Sequence, residues 1–322
     1  MILVYWLILV NLVAFILYGA DKSYARKNAR RIPEKTLLFW AWIGGSVGAF
    51  LGMKVFHHKT LKPKFAITVP VLMVAECIIC IFCLYQNYHL VVTEYEADIG
   101  LSNDITVVQI SDLHNQFFGV KQSALLKKIE KADPDIIVVT GDIVDSTHTS
   151  YDIAFDFIEG AVKIAPVYYV TGNHERRLEG EKLDSFFTKM REAGVIFLDD
   201  DYLVTDDYII AGIADSSLDS FGYYGAFDDT KPVIMLAHEP QYQTLYQSLG
   251  ADLVFTGHYH GGQIIIPGAG GVVSPEFEFF PDIYEGIHDY SGMKLVLSRG
   301  LGNSIIPVRI NNYPEIVVVK VS

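Results

Sequence analysis

The chain has 322 residues, 51% of them apolar and 20% charged, with a formal net charge of −13, a length that allows one large domain or two ordinary ones. Its mean hydropathy of +0.27 is high for a soluble protein. The average conceals two unlike parts: residues 1–85 hold 10 Lys+Arg against 3 Asp+Glu, a net of +7, leaving 15 against 35, a net of −20, for residues 86–322. A body that acidic excludes nucleic-acid binding unless metal ions intervene, because it repels phosphate backbones.

Three apolar runs open the chain: Met1–Ala20, Thr36–Met53 and Phe65–Tyr85. At about 1.5 Å per helical residue each approaches the roughly 30 Å hydrocarbon thickness of a bilayer. The first lacks a basic start and a small-residue cleavage site, so it reads as a retained anchor and not a signal peptide. Lys22, Arg26, Lys27, Arg30, Arg31 and Lys35 follow the first run, and Lys54, Lys59, Lys62 and Lys64 precede the third. Both segments therefore prefer the cytoplasm, while residues 86–120 carry no Lys or Arg and belong outside. Two adjacent basic loops cannot share a side if every run spans. The middle run is the shortest and contains Gly44, Gly45, Gly48 and Gly52, so it is expected to re-enter or hairpin, which places the body outside the cell membrane. The alternative is three full spans and a cytoplasmic body. The glycines also form small-xxx-small patterns suited to close helix packing. Asn11 and Glu76, polar groups within apolar runs, are expected to pair inside the helix bundle. Cys77, Cys80 and Cys83 lie in the third run with no fourth ligand, and read as small hydrophobes.

From Asp104 onward short β-branched runs alternate with helical periodicity. Strands are expected at 105–110, 136–140, 167–171, 208–214, 233–237, 253–256, 293–298 and 316–321. Helices are expected at 121–132, 151–165, 183–193 and 241–249. Residues 86–103 read as a linker or a first edge strand. The alternation, with apolar strands buried on both faces, predicts a layered α/β fold. Polar clusters follow five of the strands: Ser111-Asp112-Leu113-His114, Gly141-Asp142-Ile143-Val144-Asp145, Gly172-Asn173-His174-Glu175, Ala237-His238-Glu239 and Gly257-His258-Tyr259-His260. Ligands in open α/β sheets collect beyond the carboxyl ends of strands, so five clusters can converge on one site. Carboxylate, imidazole and amide oxygen suit divalent Mn, Fe or Zn. Asp142 can offer its two oxygens to two ions, which together would clamp a phosphate oxygen and generate hydroxide for in-line attack. His174 could then protonate the leaving group.

The blocks, in this order, resemble the calcineurin-like metallophosphoesterases, whose pattern is DxH, GDxxD, GNH(D/E), an isolated His and GHxH. The resemblance covers residues 104–322. It implies a sandwich of two mixed β-sheets flanked by helices and two divalent metal ions, one held by Asp112, His114, Asp142 and His260, the other by Asp142, Asn173, His238 and His258, with His174 as general acid. "SDLHNQFFG", "GHYHGGQIIIPGAGGVVSP" and "SRGLGNSIIPVRINNYPEIVVV" are similar to the membrane-associated bacterial branch that includes phosphodiesterases and UDP-diacylglucosamine pyrophosphate hydrolases. Arg299 in the last stretch is a candidate phosphate contact, with a structural ion pair as the alternative. Phe117-Phe118, Phe221–Phe227 and Phe277–Phe280 supply loop aromatics for an acyl chain, a membrane face or core packing. His57, His58, His89, His148 and His288 read as loop or flank residues. The head, with "GADKSYARKNARRIPEKTLLFW" and "GGSVGAFLGMKVFHHKTLKPKF", resembles over residues 10–75 a bacterial membrane-protein family of unknown function, DUF1294.

The expectation is a membrane-embedded anchor (1–85), a linker (86–103) and a dinuclear metallophosphoesterase domain (104–322). It would cleave a phosphodiester or pyrophosphate, with a lipid-linked substrate in view and no obligate protein partner. The alternatives are a tethered nucleotide or protein phosphatase, and a catalytically silent sensor of a phosphorylated ligand.

Overall fold

The computed structural model describes residues 2–217, 227, 230–303 and 308–322, with side chains from Tyr5 onward. They form two compact units, Met1–Tyr85 and Gln86–Ser322.

The first unit contains α1 (Ile2–Arg26), α2 (Glu34–Trp40), α3 (Ser46–Val55) and the start of α4 (Pro63–Tyr88). Three stretches, Tyr5–Arg26, Glu34–Val55 and Pro63–Tyr88, are long and apolar enough to cross a membrane. The middle one is not straight. Ile43 and Gly44 leave the helical region, Gly44 at φ 110°, a value that glycine adopts without penalty. A straight helix of 22 residues would separate its ends by about 30 Å, yet Ile32 and His58, on either side of the segment, both reach the Asp21 carboxylate, at 3.0 and 2.7 Å. Residues 34–55 thus leave and return at the same end of α1, the hairpin expected from the conflict between the basic loops. Asn11 accommodates the break: its amide donates to Gly44 O and its oxygen accepts from Gly48 N, at 2.8 and 2.7 Å. A Cβ at Gly48 would lie 1.9 Å from the Asn11 carbonyl, so the small residue permits this helix contact. The Ser46 hydroxyl donates to Glu76, the bundle pairing expected of that carboxylate. Ala14, Tyr18, Leu37, Ala41, Ala49, Met53, Phe65 and Val69 form the core. His58, expected as a loop or flank residue, is instead buried against Asp21.

The second unit runs β1 (Val91–Ala97), β2 (Ile105–Ile110), α5 (Ser123–Lys131), β3 (Ile136–Thr140), α6 (Tyr151–Ala161), β4 (Val167–Val170), α7 (Asn173–Arg176), α8 (Glu181–Glu192), β5 (Ile196–Phe197), β6 (Asp201–Val204), β7 (Ile209–Gly212), β8 (Val233–Leu236), α9 (Gln243–Ser248), β9 (Leu253–Thr256), β10 (Ile265–Ile266), β11 (Gly270–Gly271), β12 (Gly286–Tyr290), β13 (Met293–Leu297) and β14 (Glu315–Val321). One mixed sheet is ordered β1-β14-β2-β3-β4-β5, the other β12-β13-β9-β8-β7-β6. Val91–Ala97 pairs in parallel with Glu315–Val321, so the middle of the segment expected as a linker or first edge strand is an edge strand.

Alternation along each strand builds the layers. Val107, Val138, Val170, Val317 and Val319 of the first sheet share a core with Ile210, Ile234, Leu236, Phe255 and Val296 of the second. Val108, Ile137, Val139 and Tyr169, one residue out of step, face Leu125, Phe157, Phe186 and Met190 of α5, α6 and α8. Met235, Val254 and Leu295 face Tyr246 of α9. The result is the expected pair of mixed sheets flanked by helices. Strands β2, β3 and β4 are parallel, as are β8 and β9, so their carboxyl ends deliver the five polar clusters.

Candidate metal centre

Each cluster begins where a buried strand must stop and turn. Asp112, His114, Asp142, His258 and His260 all have positive φ, between 43° and 69°. Such backbone conformations are uncommon for side-chain-bearing residues and cost free energy that the surrounding fold must offset. Local hydrogen bonds do so. His114 N donates to Asp142 O, Asp112 N to Gly141 O and Gly257 N to His238 O, each within 3.1 Å. His258 N reaches the Asp112 carboxylate at 3.1 Å.

Among the described residues, three groups bring ligand atoms within 4.8 Å of one another: Asp112, His114 and His260; His114, Asp142 and His174; and Asp142, His238 and His258. Asp142 Oδ2 lies 3.4 Å from His114 Nε2 and 3.3 Å from His238 Nε2, so it stands between two of the imidazoles. Its other oxygen accepts from His174 N at 2.7 Å. Asn173 Oδ1 is 3.2 Å from His238 Nε2, and His258 Nδ1 is 3.1 Å from the same nitrogen. His260 Nε2 faces Asp112 at 3.6 Å. All seven residues proposed as ligands are therefore gathered and buried.

The donor set fits divalent metal. His238 Nδ1 contacts Thr140 O at 2.7 Å, and since a carbonyl can only accept, the proton of neutral His238 sits on Nδ1. Its Nε2 lone pair then points at the acceptor oxygens of Asn173 and Asp142. His258 Nε2 is likewise committed to Glu276 at 2.6 Å, turning Nδ1 toward His238. Both ring nitrogens of His114 and Nδ1 of His260 are buried without hydrogen-bond partners. Lone pairs converging in a buried site repel unless a proton or a cation lies among them. The protein's own charges show the same demand. Burial disfavours ionised Asp112 and Asp142, yet the surrounding imidazoles hold both carboxyls well below the usual range. Burial also disfavours charged His114, but Asp112 and Asp145 raise it to about 9.

His174 stands apart. Its Nδ1 accepts from Ser146 N at 3.0 Å, so neutral His174 carries its proton on Nε2. Burial lowers its pKa to about 4. Arg299 pairs with Glu315 at 2.7 Å and Glu285 at 3.1 Å. The ion-pair alternative thus describes its geometry. The loop it anchors still reaches the centre: Gly302 N donates to Asp112 O and Leu301 N to Ser111 O.

Sequence reasoning assigned no role to three supporting side chains. Glu175 accepts from the backbone of Asp142, Val144 and Gly172, at 2.8 to 3.2 Å, tying two strand ends together. Burial, followed by the Asp142 charge, raises its pKa to about 7 despite those bonds. Its place in the GNHE block was the available signal. Buried Arg309 braces the Arg299–Gly302 loop through the carbonyls of Arg299 and Gly302. Glu276 lies 18 residues beyond its partner His258 in an irregular loop, where no spacing rule would mark it. Residues 221–226 of the expected aromatic grip lie outside the described residues. Phe227 packs on Tyr202 with ring centroids 5.5 Å apart.

Residues 105–262 match the calcineurin-like phosphoesterase family, a span that contains all seven ligand candidates and His174. Residues 11–65 match DUF1294, a family of proteins of unknown function. The Bacillus subtilis (strain 168) metallophosphoesterase YkoQ is 25% identical over 221 residues, covering 66% of this chain and 82% of that protein. The Escherichia coli (strain K12) phosphodiesterase YaeI is 24% identical over 222 residues, 66% of this chain and 81% of that protein. Bacillus subtilis YsdA is 40% identical over 79 residues, 24% of this chain and 89% of that protein. The convergent carboxylates and imidazoles and the family match agree: the chain belongs to the calcineurin-like metallophosphoesterases, metal-dependent phosphoester hydrolases, and carries a DUF1294 region at its head.

Proposed function

We propose that the chain is a membrane-anchored phosphohydrolase that uses two divalent ions, Mn, Fe or Zn, to cleave a phosphodiester or pyrophosphate bond in a lipid head group. The observation that carries the dinuclear reading is Asp142 Oδ2, within 3.4 Å of both His114 Nε2 and His238 Nε2. Asp112, His114, Asp142 and His260 would hold one ion, and Asp142, Asn173, His238 and His258 the other. Such ions supply Lewis acidity, neutralising phosphoryl oxygens and acidifying water at the site. They also offset the repulsion between phosphate and a body of charge −20. His174 is the proposed general acid: phosphate bound beside it would favour the imidazolium form, whose Nε2 proton passes to the leaving oxygen and leaves the neutral ring behind.

Two features support the lipid substrate. Phe117 and Val120 follow the His114 turn, and Phe277, Phe279 and Phe280 follow Glu276; all are exposed, giving two loops from the site apolar tips. An apolar head also concentrates the enzyme where lipids are. For orientation, the hairpin at residues 34–55 allows both basic loops to remain cytoplasmic while α1 and α4 cross, which leaves the body extracytoplasmic.

The test uses full-length protein in neutral detergent, loaded with Mn²⁺, with bis-p-nitrophenyl phosphate, p-nitrophenyl phosphate and membrane lipid extract as substrates. Hydrolysis of the diester in preference to the monoester, release of a phosphorylated head group from the extract and loss of both in Asp142→Asn are expected. A monoester preference would favour the tethered phosphatase, and no hydrolysis of any substrate would favour the silent sensor. A reporter fused to the C-terminus reads the side of the membrane; a cytoplasmic signal would overturn the orientation.

A further inference from the structure

A second candidate site lies in the head. A cavity of about 420 Å³ is lined by the end of α1, by Arg31 of the α1–α2 connection and by the α3–α4 connection, with Lys22, Arg26, Arg31, Lys59 and Lys62 beside the imidazoles of His57 and His58. Five of these side chains are cations, and among the described residues two carboxylates answer them. Asp21 takes Arg31 and, at 3.6 Å, Lys59. Glu34 takes Lys59 and Lys62 at 2.8 and 2.6 Å. Lys22 reaches only the His57 carbonyl, at 3.0 Å, and Arg26 has no acidic partner among the described residues. The cavity therefore has a surplus of three positive charges before either imidazole is counted.

Its place selects the ligand. Tyr5, Trp6, Ile8, Leu9, Leu12 and Ile16 expose an apolar face along α1, and the cavity opens where that face gives way to charge. Leu61, 95% exposed among these cations, presents an apolar tip at the rim. Cations beside an apolar tip at the end of an apolar helix match the boundary between lipid head groups and acyl chains. We propose that this cavity binds the phosphate of an anionic glycerophospholipid, with Lys22 and Arg26 as the unpaired cations that hold it. Asp21 and Glu34 position the remaining cations through their ion pairs. The inference rests on the membrane placement of the head and not on the chemistry of the metal centre.

The test titrates phosphatidylglycerol into full-length protein in neutral detergent, with bound lipid counted by native mass spectrometry. Phosphatidylcholine and inorganic phosphate are the comparison probes. A cation near a membrane surface contributes about 1 kcal/mol, so Lys22→Gln and Arg26→Gln are each expected to weaken phosphatidylglycerol binding about fivefold, and the double variant about 25-fold. Neither residue has a carboxylate partner to strand, so the head should still fold. Lys64→Gln, a cation outside the cavity, should stay within about twofold. Phosphatidylcholine bound as well as phosphatidylglycerol, or a double variant that binds like the parent, would overturn the proposal. Inorganic phosphate displacing the lipid at equal concentration would overturn the lipid as its source.

Discussion

Gly172→Ala tests whether the position of Asp142 sets activity. Gly172 has φ −105°, open to any residue, so alanine adds a methyl group and no backbone strain. That Cβ would stand 2.3 Å from Asp142 Oδ1 and 2.7 Å from Asp142 N. Non-bonded contacts relax at about 3.5 Å, so the carboxylate must retreat by about 1 Å. The retreat also disturbs the bond from His174 N to Asp142 Oδ1. Overpacking of this kind costs about 1–3 kcal/mol of stability, while a 1 Å misplacement of a reacting group costs about 100-fold in rate. Gly160→Ala is the matched control: its Cβ would meet Leu126 Cδ1 at 2.2 Å, a comparable overlap with a side chain in the helical layer. The assay is hydrolysis of bis-p-nitrophenyl phosphate at saturating Mn²⁺, with thermal unfolding measured in parallel. Gly172→Ala should fall about 100-fold and Gly160→Ala stay within about twofold. Equal losses in the two variants would show that activity follows general stability, and an active Gly172→Ala would refute the positional argument outright.

His174→Ala should lower kcat by about 100-fold or more and leave metal content unchanged; a fall in metal content would reassign His174 as a ligand, a role its grouping with His114 and Asp142 makes worth testing. Glu276→Gln should weaken metal affinity about 10–100-fold, read by Mn²⁺ titration, because Glu276 fixes which nitrogen His258 turns inward; unchanged affinity would assign that contact to the loop alone. Asp199 provides the pH test. Burial pushes its pKa up to about 6, outweighing hydrogen bonds from Thr171. The native state then holds more protons than the unfolded one between about pH 4 and 6, so this stabilisation is complete below that window and lost as pH rises through it. Asp199→Asn should flatten the decline in unfolding free energy from pH 4 to 7 by about 2 kcal/mol; parallel denaturation profiles would contradict it.

The strand ends were legible because β2, β3, β4, β8 and β9 are predominantly apolar runs and each is followed within four residues by an Asp or a His. Solvation and burial force that boundary, and the parallel order of the strands carries all five ends to one edge. The hairpin at Gly44 was legible for a different reason. Charge on both flanking loops demanded it, although the apolar run itself reads as a span. Edge strands such as Asp201–Val204 and Gly286–Tyr290 escaped because neither has a buried residue to impose an alternating pattern on its sequence. Arg299 shows a further limit: Glu285 and Glu315 claim its guanidinium across separate elements, and a motif cannot disclose a partner that only the tertiary fold supplies. The same holds for Glu276 and His258, and for Asp21, whose neighbours Arg31, His58 and Lys59 come from two connections.

The central claim is that one buried constellation, divided at Asp142, holds two catalytic ions. Its most direct test is the metal content of full-length protein, by mass spectrometry of the metal, alongside diester hydrolysis on the same samples. The account predicts two ions per chain and hydrolysis abolished by chelation, with Asp142→Asn losing both ions or the activity of those retained. Two ions retained at full activity in Asp142→Asn, or hydrolysis that persists in metal-free protein, would contradict it.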